Sequence, residues 1–331
     1  MELVINSYGT TLSKENGLFV LESSEGKQSI PPDKLKSITI SKAVRITSDA
    51  ILLAIKNKID VVFLNDFGHP EGRVWSVQYG SISSIRKAQL DFFYSNAVVP
   101  WVKKMLIDKI NSQISILLAF QPEKEVLPQH NLVKGAINSL TDFNQKIQSL
   151  EGEILSDMAP TMRGWEGVAG KKYFVTLSAL LPEQYKFENR NRQPATDIFN
   201  AMLNYAYGIL YGKVEGALIK AGIDPYVGIF HRDDFNRPAL VYDVIEKYRM
   251  WMDYVVLSLC TQEAMVEECY RIDPVNGACM LEPLGKRILV QAVNDYLYEI
   301  IMFNGKERSR LTHLDLEMQQ LAQFFLKVTS I

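Results

Sequence analysis

Short alternating or apolar runs fill the first quarter of the chain. ELVIN, TTLSK, GLFVLES, SITIS, DVVFLN and RVWSVQ recur between turn signals at Asn16-Gly17, Glu25-Gly26, Pro31-Pro32 and Gly68-His69-Pro70. Runs of this length bounded by Gly, Pro and Asn read as β-strands. One helix is expected among them, because DAILLAIKNK has helical spacing and Ser48 can cap it. Many short strands at close spacing predict a small sandwich or prism-like pair of sheets.

From about Gln89 the period changes. Helical spacing runs over 89–120, 131–158, 161–181, 196–221, 238–270 and 284–302, with a last helix near 311–328. The strand signature nearly vanishes. Residues 121–130 and 270–283 read as surface loops, and no repeat or low-complexity tract interrupts the pattern. The change of period near GSISSIRKAQL, residues 80–90, predicts two domains. An N-terminal β domain takes 1–85 and a C-terminal α-helical domain takes 86–331, giving an α+β multidomain class. Each part is long enough to bury a core.

Composition narrows the function classes. Hydrophobic residues make up 47% and charged residues 22%, the balance of a globular domain rather than a disordered or fibrous one. The formal net charge of −2 excludes a globally basic nucleic-acid binder, so any such contact must use local patches. The start, MELVINSYGT, reads as a strand and not as a signal peptide, and no apolar run reaches the length of a membrane span. A cytoplasmic protein is expected. Three cysteines, Cys260, Cys269 and Cys279, without a CxxC pair fit reduced thiols better than disulfides or a zinc site.

Four histidines are few enough to weigh singly. His69 lies in a turn, His130 in a polar loop, and His313 at the start of the last helix, and each has an ordinary surface reading. His231 differs, since it ends the apolar run YVGIF and precedes RDDFNRP, after which Pro238 opens a helix. In that helix Asp243 and Glu246 are three apart and share a face with Leu240, Val244, Tyr248 and Trp251. Carboxylates beside apolar surface need a cation, a proton or hydrogen bonds. The alternative is an exposed helix edge with Glu246 paired to Lys247 or Arg249. Glu166 lies among Gly164, Val168, Ala169 and Gly170, small neighbours that allow another helix to approach. One imidazole with two or three carboxylates suits Mg²⁺ or Mn²⁺ and suits structural zinc poorly.

A basic stretch lies nearby. Between Arg163 and Lys213 there are seven Lys/Arg against four Asp/Glu, interleaved with tyrosines that include Tyr205, Tyr207 and Tyr211. Lys and Arg neutralise phosphates, and aromatic rings stack on unpaired bases. Tyrosines at helical spacing are equally often core.

RGWEGVAGKKYF, RNRQPATDIFNAMLNYAYGILYG, GIDPYVGIFH and RPALVYDVIEKYR occur in this order. Together with YGTTLSKENGLFVL, ITISKAVRITSDAILLAIKNKIDVVFLNDFGHPEGRV and SSIRKAQ, they make the chain resemble the CRISPR-associated adaptation endonucleases, the integrase family of spacer acquisition, over nearly its whole length. The resemblance implies a β-sandwich domain followed by an all-α catalytic domain, assembled as a homodimer. It implies a Mg²⁺ or Mn²⁺ ion held by Glu166, His231 and Glu246, with Asp243 as a weaker or second-metal ligand. It implies insertion of foreign DNA into a CRISPR array by attack of a 3′-hydroxyl on a phosphodiester, in antiviral defence. The DNA would be double-stranded, branched or with 3′ overhangs, and a small ferredoxin-like companion subunit would bridge two dimers. Arg163, Lys171, Arg190, Arg192 and Arg237 are the expected phosphate contacts. Two positions depart from the family pattern: Met250 stands where proline is common, and Tyr242 where an aliphatic residue is common. The competing readings are a catalytically silent DNA-binding scaffold and a transposase-type integrase outside CRISPR immunity. A structural protein whose acids lie far apart is a third.

Overall fold

Alternation builds the first half. The strands are β1 (Glu2–Ile5), β2 (Thr11–Glu15), β3 (Leu18–Ser23), β4 (Gly26–Ile30), β5 (Ser37–Ile40), β6 (Arg45–Ile46), β7 (Asp60–Leu64) and β8 (Pro70–Arg73). In β1, Leu3 and Ile5 turn inward while Glu2 and Val4 stay at the margin. The computed structural model describes all residues except 1, 25, 42, 66–69, 75–82, 124–126, 192–193, 232–236, 304 and 329–331.

Two four-stranded sheets result, ordered β1-β5-β7-β8 and β4-β3-β2-β6. Asn16 and Gly17 both take positive φ, +49° and +79°, and so close the β2–β3 hairpin as an Asn-Gly pair should. Helix α1 (Ser48–Lys56) lies between β5 and β7 in the chain, and such a crossover permits their parallel pairing. Leu3, Ile5, Ile38 and Val61 from one sheet, Leu12, Phe19 and Ile30 from the other, and Ala50, Leu53 and Ala54 from α1 share one core. Several details differ from the sequence reading. Strands β4 and β6 had too little apolar alternation to be expected. Thr47, not Ser48, caps α1 by accepting from the Ala50 N–H. Strand β8 ends at Arg73, where the expected strand RVWSVQ begins, and most of that expectation lies outside the described residues, as do all of 75–82 and His69.

The second half comprises α2 (Ser83–Phe93), α3 (Val98–Ala119), α4 (Leu127–Ser149), α5 (Leu155–Leu180), α6 (Ile198–Lys220), α7 (Ala239–Ile245), α8 (Arg249–Thr261), α9 (Pro283–Tyr298) and α10 (Arg310–Val328). It has its own core, running from Ile85 to Phe325. Helix α6 is buried nearly all round its first three turns, so Tyr205 and Tyr207 are largely interior.

The expected helices over 89–120 and 238–270 are each broken. Ser95 interrupts the first by donating to the Phe92 carbonyl and accepting from the Ala97 N–H. The second stops at Ile245 and resumes at Arg249. The expected loop over 270–283 carries a hairpin, β9 (Tyr270–Ile272) with β10 (Cys279–Leu281). Another hairpin, β11 (Ile300–Phe303) with β12 (Lys306–Ser309), follows α9 where helix was expected. The loop over 121–130 is shorter than expected, because α4 begins at Leu127 and contains His130.

Polar contacts join the halves. Arg73 donates to Asp60, to Glu215 and to the Gly212 carbonyl of α6. Lys213 pairs with Glu2, and the Tyr298 hydroxyl donates to Glu2 at 3.0 Å. The three cysteines are buried and unpaired. Among the described residues no helix is long and apolar enough to cross a membrane.

Candidate active site

The break between α7 and α8 places the acids. Glu246 is the C-terminal cap of α7, still right-handed at φ −55° and ψ −34°. It is 5% exposed. Arg249 Nε donates to its Oε1 at 3.0 Å, and Lys109 Nζ lies 2.6 Å from its Oε2. Oε2 is thus a buried acceptor whose partner is the Lys109 ammonium. Burial pushes the Glu246 carboxyl up, but the charges of Arg249 and Lys109, with His231 adding to them, outweigh it and hold it down to about 2.

Lys109 reaches in from α3 and also pairs with Glu166 of α5. Burial alone would lower this ammonium; Glu246 and Glu166 more than offset it and raise it. Lys109 therefore stands as the cation between two carboxylates.

Asp243 is placed differently from the ligand expectation. It is fully buried. Its Oδ2 accepts from the Ile229 and Phe230 N–H groups at 2.7 and 3.1 Å. Its Oδ1 accepts from the His231 N–H at 2.9 Å and from His231 Nδ1 at 2.6 Å. Four donors occupy the two oxygens, so Asp243 pins the loop and ring of His231 and does not border the open cleft. A carboxylate can only accept, which assigns a proton to Nδ1.

A second layer backs these groups. Arg249 lies 4.6 Å over the Tyr207 ring. Tyr207 and Tyr173 donate to Asp253 at 2.5 and 2.8 Å. Burial raises the Asp253 carboxyl, and the two hydroxyls offset that only in part. Arg190 donates to Asn200 and Asn204 at 2.8 and 2.7 Å and lies over the Tyr207 ring. Glu166, His231, Glu246, Lys109, Lys171 and Arg190 are among the residues that wall a cleft of about 570 Å³.

The sequence-derived site is thus gathered unevenly. Glu166, His231 and Glu246 border one cleft. Among the described residues, however, no group of three His, Cys, Asp or Glu side chains is arranged to hold a metal ion, and Lys109 takes the cation's place between two of them. The chemistry of the donors still fits Mg²⁺ or Mn²⁺: two carboxylates and one imidazole.

Of the expected phosphate contacts, Lys171 and Arg190 border the cleft. Arg163 donates to the Phe230 carbonyl and lies over its ring, beside the His231 loop. Arg237 lies 4.4 Å over the Tyr242 ring. Arg192 falls outside the described residues.

Sequence reasoning missed Lys109, Gln113 and Asp253; it named Arg249 as a partner of Glu246, but on an exposed helix edge, whereas the pair is largely buried. The signal was present for two of them. Lys109 and Gln113 share the stripe of α3 that buries Met105, Leu106, Ile110 and Leu117, where a charged side chain needs a partner.

Residues 3–295 match the family model described as CRISPR associated protein Cas1. The CRISPR-associated endonuclease Cas1 1 of Archaeoglobus fulgidus is 31% identical over 318 residues, covering 92% of this chain and 91% of that protein. Among solved structures, a casposase bound to integration product superposes with a TM-score of 0.83 at 22% identity, over 98% of this chain and 90% of its own. A Cas6-RT-Cas1–Cas2 complex gives 0.80 at 21% identity over 98% of this chain, which spans 35% of that longer one.

Proposed function

The chain belongs to the CRISPR-associated Cas1 family, and from that membership and its cleft we propose that it is a divalent-metal-dependent DNA endonuclease and integrase. It would join the 3′-hydroxyl of a foreign DNA fragment to a phosphodiester of a CRISPR array. The observation that carries this reading is the cleft that Glu166, His231 and Glu246 share, with Lys109 as the cation between its two carboxylates.

Glu166, Glu246 and Nε2 of His231 would hold Mg²⁺ or Mn²⁺. When bound, such an ion supplies charge neutralisation at the phosphate and a lower pKa for the attacking hydroxyl. The chain's own residues do the rest. Asp243 keeps the proton on Nδ1 and fixes the ring of His231, in the role such carboxylates play behind metal-binding imidazoles. Arg249 fixes the other oxygen of Glu246. Lys109 pairs with both carboxylates and holds them together.

Lys171 and Arg190, with Arg192, would neutralise DNA phosphates, while Arg163 and Arg237 would brace the His231 loop. Water in place of the hydroxyl gives strand cleavage. A homodimer, a small ferredoxin-like companion subunit, and duplex DNA with branches or 3′ overhangs are the proposed partners.

Strand transfer tests the reading. The protein and its companion subunit are incubated with a short labelled duplex, a supercoiled plasmid carrying a repeat array, and Mn²⁺ or Mg²⁺. Wild type is expected to join duplex to plasmid, and His231→Ala to lose joining by about a hundredfold or more. Equal products from both proteins would remove His231 from the site. Intact proteins that give no DNA product would leave the scaffold reading.

A further inference from the structure

Helix α5 carries Gly164, Gly167 and Gly170 at three-residue spacing. Glycine in a helix interior is destabilising against alanine, so three of them call for a reason. Packing supplies one elsewhere. A Cβ on Gly216 would lie 2.7 Å from Arg73 Nη1, and one on Gly285 would lie 2.2 Å from the Cys269 carbonyl oxygen. It supplies none on α5: a Cβ on Gly164, Gly167 or Gly170 meets no heavy atom within 4 Å. These glycines leave open space beside the helix, and Gly167 and Gly170 border the cleft next to Glu166.

A second, independent observation points to a ligand there. Gln113 of α3 borders the same cleft and is 7% exposed, yet its Oε1 has no hydrogen-bond partner. An amide oxygen only accepts, so it calls for a donor such as a hydroxyl. The exposed Lys171 adds a cation beside the track, and Val168 and Val175, 57% and 46% exposed, add apolar surface on the same helix.

We propose that Gly164, Gly167 and Gly170 form a track against which the sugar–phosphate backbone of the DNA strand lies. The missing side chains bring the strand against α5, and Gln113 accepts from its terminal hydroxyl. This rests on the DNA-joining reading above and adds where the strand runs.

Alanine scanning tests it without unfolding the protein. Gly167→Ala and Gly170→Ala are compared with Gly135→Ala on the exposed face of α4, where an added Cβ also meets nothing. Melting temperature is measured on the free proteins. Affinity for a short duplex with a 3′ overhang is measured by fluorescence anisotropy, and joining by the plasmid assay. All three variants should melt at or above the wild-type temperature, because alanine is the better helix former. Gly135→Ala should bind and join as wild type does. Gly167→Ala and Gly170→Ala should each bind about tenfold more weakly and join about a hundredfold more slowly, since a displacement of about 1 Å costs that much in rate. Variants of the track that are more heat-stable and keep wild-type affinity and joining overturn the proposal alone. A wild type that neither binds nor joins this DNA overturns the DNA-joining reading with it.

Discussion

Two clusters in this molecule are built from the same groups. At the junction of the two halves, Arg73 lies between Asp60 and Glu215, and Lys213 pairs with Glu2. In the cleft, Lys109 lies between Glu166 and Glu246. The side chains are buried to a similar degree. They differ in what is left unmet. Among the described residues, the atom without a partner at the junction is a donor, Arg73 Nε, while the cleft leaves an acceptor, Gln113 Oε1. The junction is thus a tie between two cores, while in the cleft the lysine holds two carboxylates that border open space. A charge cluster becomes legible as functional when it borders open space and leaves an acceptor unmet.

The largest effect that would break this comparison is loss of the lysine. Removing one partner of a buried ion pair costs roughly 3–5 kcal/mol. Lys109→Met and Lys213→Met should both lower stability by about that much without metal, measured by denaturant unfolding. They should part on adding Mn²⁺. Lys109→Met should regain most of its loss, because an ion binding only the folded state stabilises it by mass action. Lys213→Met should gain no more than wild type does. Equal rescue of both would make the cleft an ordinary salt-bridge cluster.

Asp243→Asn has the next effect. The amide cannot accept from all four donors, so the ring of His231 loses its fixed orientation. Changes behind a metal-binding imidazole cost about 10–100-fold in metal affinity or activity. Mn²⁺ titration by calorimetry should show that loss, and an unchanged affinity would make Asp243 a loop brace alone.

The smallest effect is read against pH and belongs to the junction. Burial raises the Glu2 carboxyl, but the charge and hydrogen bond of Lys213, with Ser37 and Tyr298, more than offset it and hold the carboxyl below the usual carboxylate range. A carboxylate lowered by folding contributes stability that is present above the unfolded value, about 4.3 for glutamate, and lost as pH falls through the lower folded one. Wild type should therefore lose stability with acid in that window, and Glu2→Gln should lose less of it. Parallel curves would show that Glu2 is not held as described.

The period of the hydrophobic pattern determined the division of this chain. Alternation put Leu3, Leu12, Ile38 and Val61 inside a pair of sheets, and helical spacing built the second core around α6. Local chemistry was also legible: the Asn16-Gly17 hairpin turn, and Glu166, His231 and Glu246 as the residues to watch. Tertiary structure alone decided the rest, because it depends on partners distant in the chain. Parallel pairing of β1, β5 and β7 is set by strands far apart in sequence. Lys109 is 57 residues from Glu166, and no local period announces that pairing. Asp243 and Glu246 looked alike on one helix face. The loop ending at His231 folded back onto one and left the other to the cleft, since only packing determines which buried carboxylate finds its donors in the backbone.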